Sequence, residues 1–216
     1  MHASRNASTY ESLTGKTDLG FPEYEDPPSE PMGLVQRWLA RAVELGVREP
    51  RALALATADR KGRPSTRVVA FTAVDDQGVL FTTHVTSRKS REIGETGWAS
   101  GLLYWRETGQ QISLNGPAVP VGEAEADALW YARPVPLHAM SAASRQSEPL
   151  TNPAALREEA ERLASTGTAL ARPDRFVGYR LRPHEVEFWC ARPDRLHHRL
   201  KYERHRDGWH VTRLQP

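Results

Sequence analysis

Between residues 52 and 121, five strand-like runs follow one another with little chain between them: ALALATAD (52–59), STRVVAFTAV (65–74), GVLFTTH (78–84), WASGLLYWRE (98–107) and QQISLNGPAVPV (110–121). The connectors RKGRP and DDQG carry the glycine, proline and aspartate chemistry of hairpin turns. Strands joined by turns this short pair antiparallel, because a parallel pair needs a crossover of a dozen or more residues. Four further runs close the chain: FVGYRL, EVEFWCAR, RLHHRLKYER and GWHVTRLQ. Helical spacing is confined to a few segments. Leu34, Val35, Trp38, Leu39, Ala42 and Leu45 recur as one helix face ending at Gly46. Residues 123–133 and 153–164 also read as helices, and 141–147 as a loop or short helix. Meander strands without β-α-β alternation predict a mainly β (α+β) fold, an antiparallel barrel with helices packed outside.

The first 31 residues are different. They hold two basic and six acidic side chains, −4 in all, and end in EYEDPPSEP, which cannot pack by itself. The expectation is a mobile acidic arm over residues 1–31, followed by a single domain over 32–216. That domain then carries about +6, mostly as arginine. A basic, arginine-rich body points to an anionic ligand or to nucleic acid, and to planar recognition of phosphate or carboxylate. No apolar run approaches the ~20 residues that span a bilayer, and no signal pattern opens the chain, so the expected location is the cytoplasm. Cys190, the only cysteine, reads as a small buried hydrophobe. Dinucleotide, P-loop, zincin, zinc-ribbon and nucleophile-elbow motifs are all missing. Chemistry, if any, is expected to be carried by a bound cofactor without a metal.

Four stretches could build a site, and each has a plain structural reading beside a functional one. In TSRKSREI (86–93), a strand meets a helix start at Ser87, Arg88 and Lys89; this is either a capped, solvated helix end or a phosphate cradle. Arg67 in STRVVAFT faces solvent, or else joins those cations while Val68 and Val69 form barrel wall. Of Gln110 and Gln111, strand alternation turns one inward. SRQS (144–147) is a polar loop. RLHHR places His197 and His198 on opposite sides of a strand, a poor metal pair, beside Trp189, Arg195 and Arg199; they form a charged outer face or a pocket for a flat anion.

Taken in order, RVVAFT, FTTHVTSRK, QQI, RQS, EFW, RLHHR and the closing W…RLQP resemble the pyridoxine-5'-phosphate-oxidase family of FMN-binding split barrels, over residues 31–216. The resemblance implies a homodimer with FMN in clefts between the subunits. The positions matching its FMN contacts are Arg67 to Thr72 (including Val68 and Val69), Thr82, Thr83, Arg88, Lys89, Gln111, Gln146, Ser147, Trp189 and Arg199, with Ser87 beside them. Arg67, Arg88 and Lys89 would hold the flavin phosphate; Gln111, Trp189 and Arg199 would meet the ring.

Departures from the vitamin B6 oxidases in that family bear on the substrate. Thr72 stands where those enzymes carry a substrate-holding lysine. Leu129 and Leu137 align with a tyrosine and a serine of the substrate-phosphate grip, of which Arg133 alone remains. About three charge-assisted hydrogen bonds, each worth roughly 1.5–3 kcal/mol, would be missing. ESLTG, FPEY, REPRALALATAD, GRPSTR, WASGLLYWRETGQQI, SRQSE and RLHHRLKY instead resemble the branch of the family that oxidises reduced phenazine carboxylates in phenazine biosynthesis. That likeness implies an apolar tricyclic carboxylate as substrate, bound by Thr72, Leu129, Arg133, Leu137, Arg195 and His197. It implies hydride transfer to flavin N5 and reoxidation by O2 to H2O2. His197 and Arg195 are the expected orienting groups, and no nucleic acid or membrane partner is expected. The alternatives are a vitamin B6 oxidase and a non-catalytic flavin-binding barrel.

Overall fold

The computed structural model describes residues 15–16 and 18–216. Residues 1–14 and 17, about half of the expected acidic arm and most of ESLTG, lie outside the described residues. Nine strands and five α-helices follow: α1 (Pro31–Glu44), β1 (Ala52–Ala58), β2 (Pro64–Asp75), β3 (Gly78–His84), α2 (Arg88–Thr96), β4 (Trp98–Trp105) and β5 (Gln110–Pro120). The second half adds α3 (Glu123–Tyr131), α4 (His138–Ala143), α5 (Pro153–Ala164), β6 (Phe176–Leu181), β7 (Glu185–Cys190), β8 (His198–His205) and β9 (Gly208–Leu214). Every pairing is antiparallel.

Strands β4, β1, β2, β3, β6 and β5 close into a six-stranded barrel through the β4–β5 pairing. Closure removes free sheet edges, which are aggregation-prone. Strand β5 changes partner along its length. Its first half, Gln110–Asn115, pairs with β7, while Ala118–Pro120 pairs with β6. The switch at Gly116–Pro117 is tight: a Cβ on Gly116 would lie 2.1 Å from the Arg182 carbonyl oxygen. This split lets β7, β8 and β9 run off as an extension of the barrel wall.

Alternation along β1, β4 and β5 sends Leu53, Leu55, Leu103, Trp105, Ile112 and Leu114 into the barrel. Helix α1 lays Leu34, Val35, Trp38 and Ala42 onto the same core. Burying four such side chains contributes roughly 1.5–3 kcal/mol for each large one. Residues 18–30 are not detached from this body. Phe21 is 6% exposed and meets Trp38 edge-on at 4.8 Å. Tyr24 stacks on His198 at 4.1 Å, and Arg213 donates to the carbonyls of Tyr24 and Glu25. The sequence shows a charged, proline-rich run there; two aromatics within it supply the docking that its composition hides.

Strand β2 behaves differently from its neighbours. Only Phe71 on it is buried, and Val68 is 66% exposed. The expectation that both valines form barrel wall therefore holds for Val69, which packs on the core, and fails for Val68. A long strand left open on one face is where the candidate site begins.

Candidate active site

Helix α2 starts where β3 ends. Ser87 takes an extended backbone as N-cap, and its Oγ accepts the Ser90 N–H. Gly97 ends the helix with φ 74°, a left-handed conformation that glycine adopts without a Cβ penalty. The helix buries Lys89, Glu92 and Ile93, one face at spacings of three and four. Ser87 is itself fully buried behind the cleft. Its hydroxyl is used on the cap and on Thr83, 3.0 Å away, so it supports the site and does not line it.

Glu92 organises the cations. Its Oε2 accepts from Thr57 Oγ1 (2.5 Å) and Ser65 Oγ (2.6 Å), and its Oε1 accepts from Arg88 Nε (2.8 Å). Arg67 completes the ring. One end of its guanidinium donates to the Leu55 carbonyl and Thr57 Oγ1, the other to Ser65 Oγ and, at 3.5 Å, to Glu92. Burial works against the Glu92 charge, but hydrogen bonds from Ser65, Thr57 and Arg88 outweigh it and hold the carboxyl at about 2. Burial lowers the Arg67 pKa, an effect that Glu92 opposes.

Lys89 has no carboxylate partner among the described residues. Its Nζ donates to Thr83 Oγ1 (3.0 Å) and Gln146 Oε1 (3.1 Å). Burial and then the nearby Arg67 charge push it down to about 8. The SRQS loop reaches over from α4: Arg88 N–H donates to Ser147 Oγ, and Thr86 Oγ1 to the Gln146 carbonyl. Ser147 holds φ 70°, a conformation uncommon for a non-glycine residue. Arg175 anchors the loop from below through the carbonyls of Ser144 and Ala142. His84 accepts the Gln146 N–H at Nδ1. Burial, together with Arg175, Arg133 and Lys89, lowers it to about 4, so it is neutral at pH 7.

One cleft of about 820 Å³ runs from Ser65–Thr72 past Thr82, Thr83, His84, Arg88, Lys89, Gln146 and Ser147 to Arg133 and Leu137. Arg133 lies over the rings of Trp130 and Phe176 at 5.7 and 5.4 Å and donates to Ser141 Oγ. No ion pair to Arg133 is seen among the described residues. Leu137 is half exposed on the cleft wall. Leu129 is not on that wall. It is 8% exposed, packed with Leu80, Trp130 and Phe176 over Gly178, where a Cβ would lie 2.8 Å from its Cδ1. The expected substrate contact at Leu129 is thus corrected to a core contact, because α3 turns that position onto β6.

The remaining expected residues gather elsewhere. Gln111, Trp189 and Arg199 are direct cross-strand partners on β5, β7 and β8, a row drawn from positions far apart in sequence. They line a second recess of about 280 Å³ with Glu187 and Pro216. Gln110, the neighbour, is buried, as alternation requires. Arg199 is gripped by Glu187 on both sides of its fork, at 2.7 and 3.1 Å, so its charge is already paired. His197 precedes β8 and sits in a loop, a correction to the strand expected there. Its Nδ1 accepts the Arg192 N–H, and its ring lies 4.8 Å from Trp189. Arg195 is exposed in the same loop with φ 66°. His197 therefore adjoins the second recess, while Arg133 adjoins the first.

Sequence reasoning missed Glu92, His84, Ser65 and Glu187. For Glu92 a signal existed: Arg88 and Glu92 are one turn apart, with Glu92 on the buried side. His84 and Ser65 become visible only once β2, β3 and α2 converge.

Residues 39–190 match the sequence model described as pyridoxamine 5'-phosphate oxidase, and residues 176–216 the one described as pyridoxine 5'-phosphate oxidase C-terminal dimerisation region. The chain is 63% identical over 211 residues to the dihydrophenazinedicarboxylate synthase of Burkholderia lata, covering 98% of this chain and 100% of that protein. It is 39% identical over 211 residues to the pyridoxine/pyridoxamine 5'-phosphate oxidase of Paraburkholderia phymatum, covering 97% and 100% respectively. Its fold is similar, at a TM-score of 0.92 and 62% identity, to the crystal structure of PhzG from Burkholderia lata in complex with tetrahydrophenazine-1-carboxylic acid, with 94% of this chain and 100% of that one covered. The chain belongs to the pyridoxamine 5'-phosphate oxidase family.

Proposed function

We propose that the protein is an FMN-dependent oxidase of phenazine biosynthesis, acting as a homodimer on reduced phenazine carboxylates. The observation that carries this reading is the make-up of the 820 Å³ cleft. Three cations, Arg67, Arg88 and Lys89, converge at one end, while an arginine beside apolar walls stands at the other. The first group fits a phosphate dianion: a fork held by Glu92, a buried amine with no carboxylate partner among the described residues, and hydroxyls from Ser65, Thr82 and Thr83. The second fits a carboxylate on a flat ring system, with Arg133 for the charge and Leu137 and Phe176 for the ring. Thr72 and Leu137 offer a substrate phosphate no added cation or serine hydroxyl. That favours a carboxylate over pyridoxine phosphate, in line with the greater identity to the Burkholderia lata synthase than to the vitamin B6 oxidase.

When bound, the flavin supplies a two-electron acceptor that takes hydride at N5 and returns the electrons to O2 as H2O2. The chain's own residues bind, orient and exclude water. Arg67, Arg88 and Lys89 hold the phosphate, and the cross-strand row Gln111, Trp189 and Arg199 faces the ring. On one chain these two groups occupy separate cavities. A dimer through the C-terminal region would let one subunit's cleft face the other's recess. His197, propped by the Arg192 N–H, orients substrate. No side chain is placed as an obligatory base; gain of aromaticity drives the oxidation.

The test is anaerobic mixing of the flavin-loaded protein with a dihydrophenazine carboxylate. Bleaching of the flavin band, then recovery in air with one H2O2 per flavin cycle, is expected. Faster bleaching by pyridoxine phosphate would assign the protein to vitamin B6 metabolism instead, and bleaching by neither would leave a carrier.

A further inference from the structure

Glu92 is buried behind the two arginines, outside the lining of the cleft, and so touches no ligand. It nevertheless joins three elements of the anion site: Thr57 on β1, Ser65 and Arg67 on β2, and Arg88 one turn earlier on α2. If the cleft only had to attract an anion, a carboxylate within reach of both arginines would weaken it. Its presence needs another reason, and the hydrogen bonds supply one. Arginine carries about 2 kcal/mol of rotamer entropy, and two guanidinium groups this close repel. A shared carboxylate fixes both, with Thr57 and Ser65 each accepting from Arg67 and donating to Glu92. Arg67, Arg88 and Lys89 less Glu92 leave a net charge of +2, which matches a phosphate dianion.

We propose that Glu92 is the positioning residue of the phosphate end, holding Arg67 and Arg88 in one geometry and thereby conferring the preference for a phosphorylated flavin over an unphosphorylated one. This rests on the reading of the cleft as an FMN site. A purely structural role would weaken both flavins alike, whereas a positioning role acts through the phosphate alone.

The experiment titrates FMN and riboflavin into flavin-stripped full-length protein, following flavin fluorescence, for the wild type, Glu92→Gln and Thr57→Val. Thr57 lies outside the cleft lining, and its hydroxyl donates to Glu92 and accepts from Arg67. In Glu92→Gln the FMN Kd should rise about tenfold or more, the loss of one charge-assisted hydrogen bond, while riboflavin affinity holds. Thr57→Val should shift FMN in the same direction by a smaller factor. FMN binding to Glu92→Gln as tight as wild type or tighter would overturn the proposal, since charge would then outweigh geometry. So would equal weakening of FMN and riboflavin. If Glu92→Gln does not fold, Thr57→Val decides, and unchanged FMN affinity there overturns the proposal. A wild type that binds FMN no better than riboflavin would instead refute the assignment of the phosphate end itself.

Discussion

Lys89 gives the sharpest handle on the proposed phosphate end. With no flavin bound its amine is held at about 8 by burial and by Arg67. A phosphate dianion beside it would favour the charged form and return the pKa toward its ordinary value of 10.5. The sign follows directly. A group whose pKa rises on binding contributes its full effect below the free value, and that contribution fades as the pH climbs through the bound value. FMN affinity should therefore be level between about pH 6.5 and 8, the phosphate being a dianion above about 6. Above 8 the Kd should rise by up to about tenfold for each pH unit. Complete recovery of the pKa would correspond to about 3 kcal/mol. Water in the open cleft screens the pair, so about 2 kcal/mol, roughly thirty-fold in Kd, is the expected span. His84 does not interfere, since its titration lies near 4. Fluorescence titration of flavin-stripped protein from pH 6.5 to 9.5 measures the effect, and Lys89→Met should abolish it while weakening binding at pH 7. A Kd that stays flat to pH 9.5 in the wild type, or rises identically in Lys89→Met, would refute the reasoning.

Arg133→Met should raise the KM for a reduced phenazine carboxylate by about tenfold or more, from loss of a hydrogen-bonded charge, while the bound-flavin spectrum stays unchanged. Steady-state oxygen uptake checks this, and an unchanged KM would remove Arg133 from the substrate end. His197→Ala should lower turnover by about ten- to a hundred-fold through misplaced substrate. FMN should remain bound, and a colourless protein would show that His197 serves the cofactor instead. Phe21→Ala should destabilise the fold by about 3 kcal/mol, as for other buried phenylalanines, seen as a lower denaturant midpoint. No change would mean that the 18–30 segment docks without supporting the core.

The barrel was legible because its information is local. Period-two alternation in β1, β4 and β5, and the RKGRP and DDQG turns, specify hairpins without reference to the rest of the chain. Features that depend on distant partners were not. That β5 abandons β7 for β6 at Gly116 follows from the close approach of Arg182, which no local pattern announces. His197 falls in a loop because Arg195 takes a positive φ and the chain turns before β8 pairs. Phe21 docks because a pocket beside Trp38 and Phe188 awaits an aromatic; nothing in its acidic surroundings says so.

The site divides along the same line. Arg88 and Lys89 were legible as one of two readings of a strand-to-helix junction, and Arg67 joined them through the family resemblance. Glu92 lies in the same eight residues yet is invisible as a positioning group until β1 and β2 bring Thr57 and Ser65 against it. Leu129 and Leu137 show the limit of carrying roles over by position. The resemblance aligns both with a substrate grip, yet the structure puts Leu137 on the cleft wall and folds Leu129 over Gly178 into the core. Leu129 packs with Leu80, Trp130 and Phe176, so a change of chemistry at that position is also a change of packing. Converting this cleft to a phosphate-substrate site would therefore start from Thr72 and Leu137, which line the cleft, whereas a change at Leu129 would also require repacking against Trp130 and Phe176.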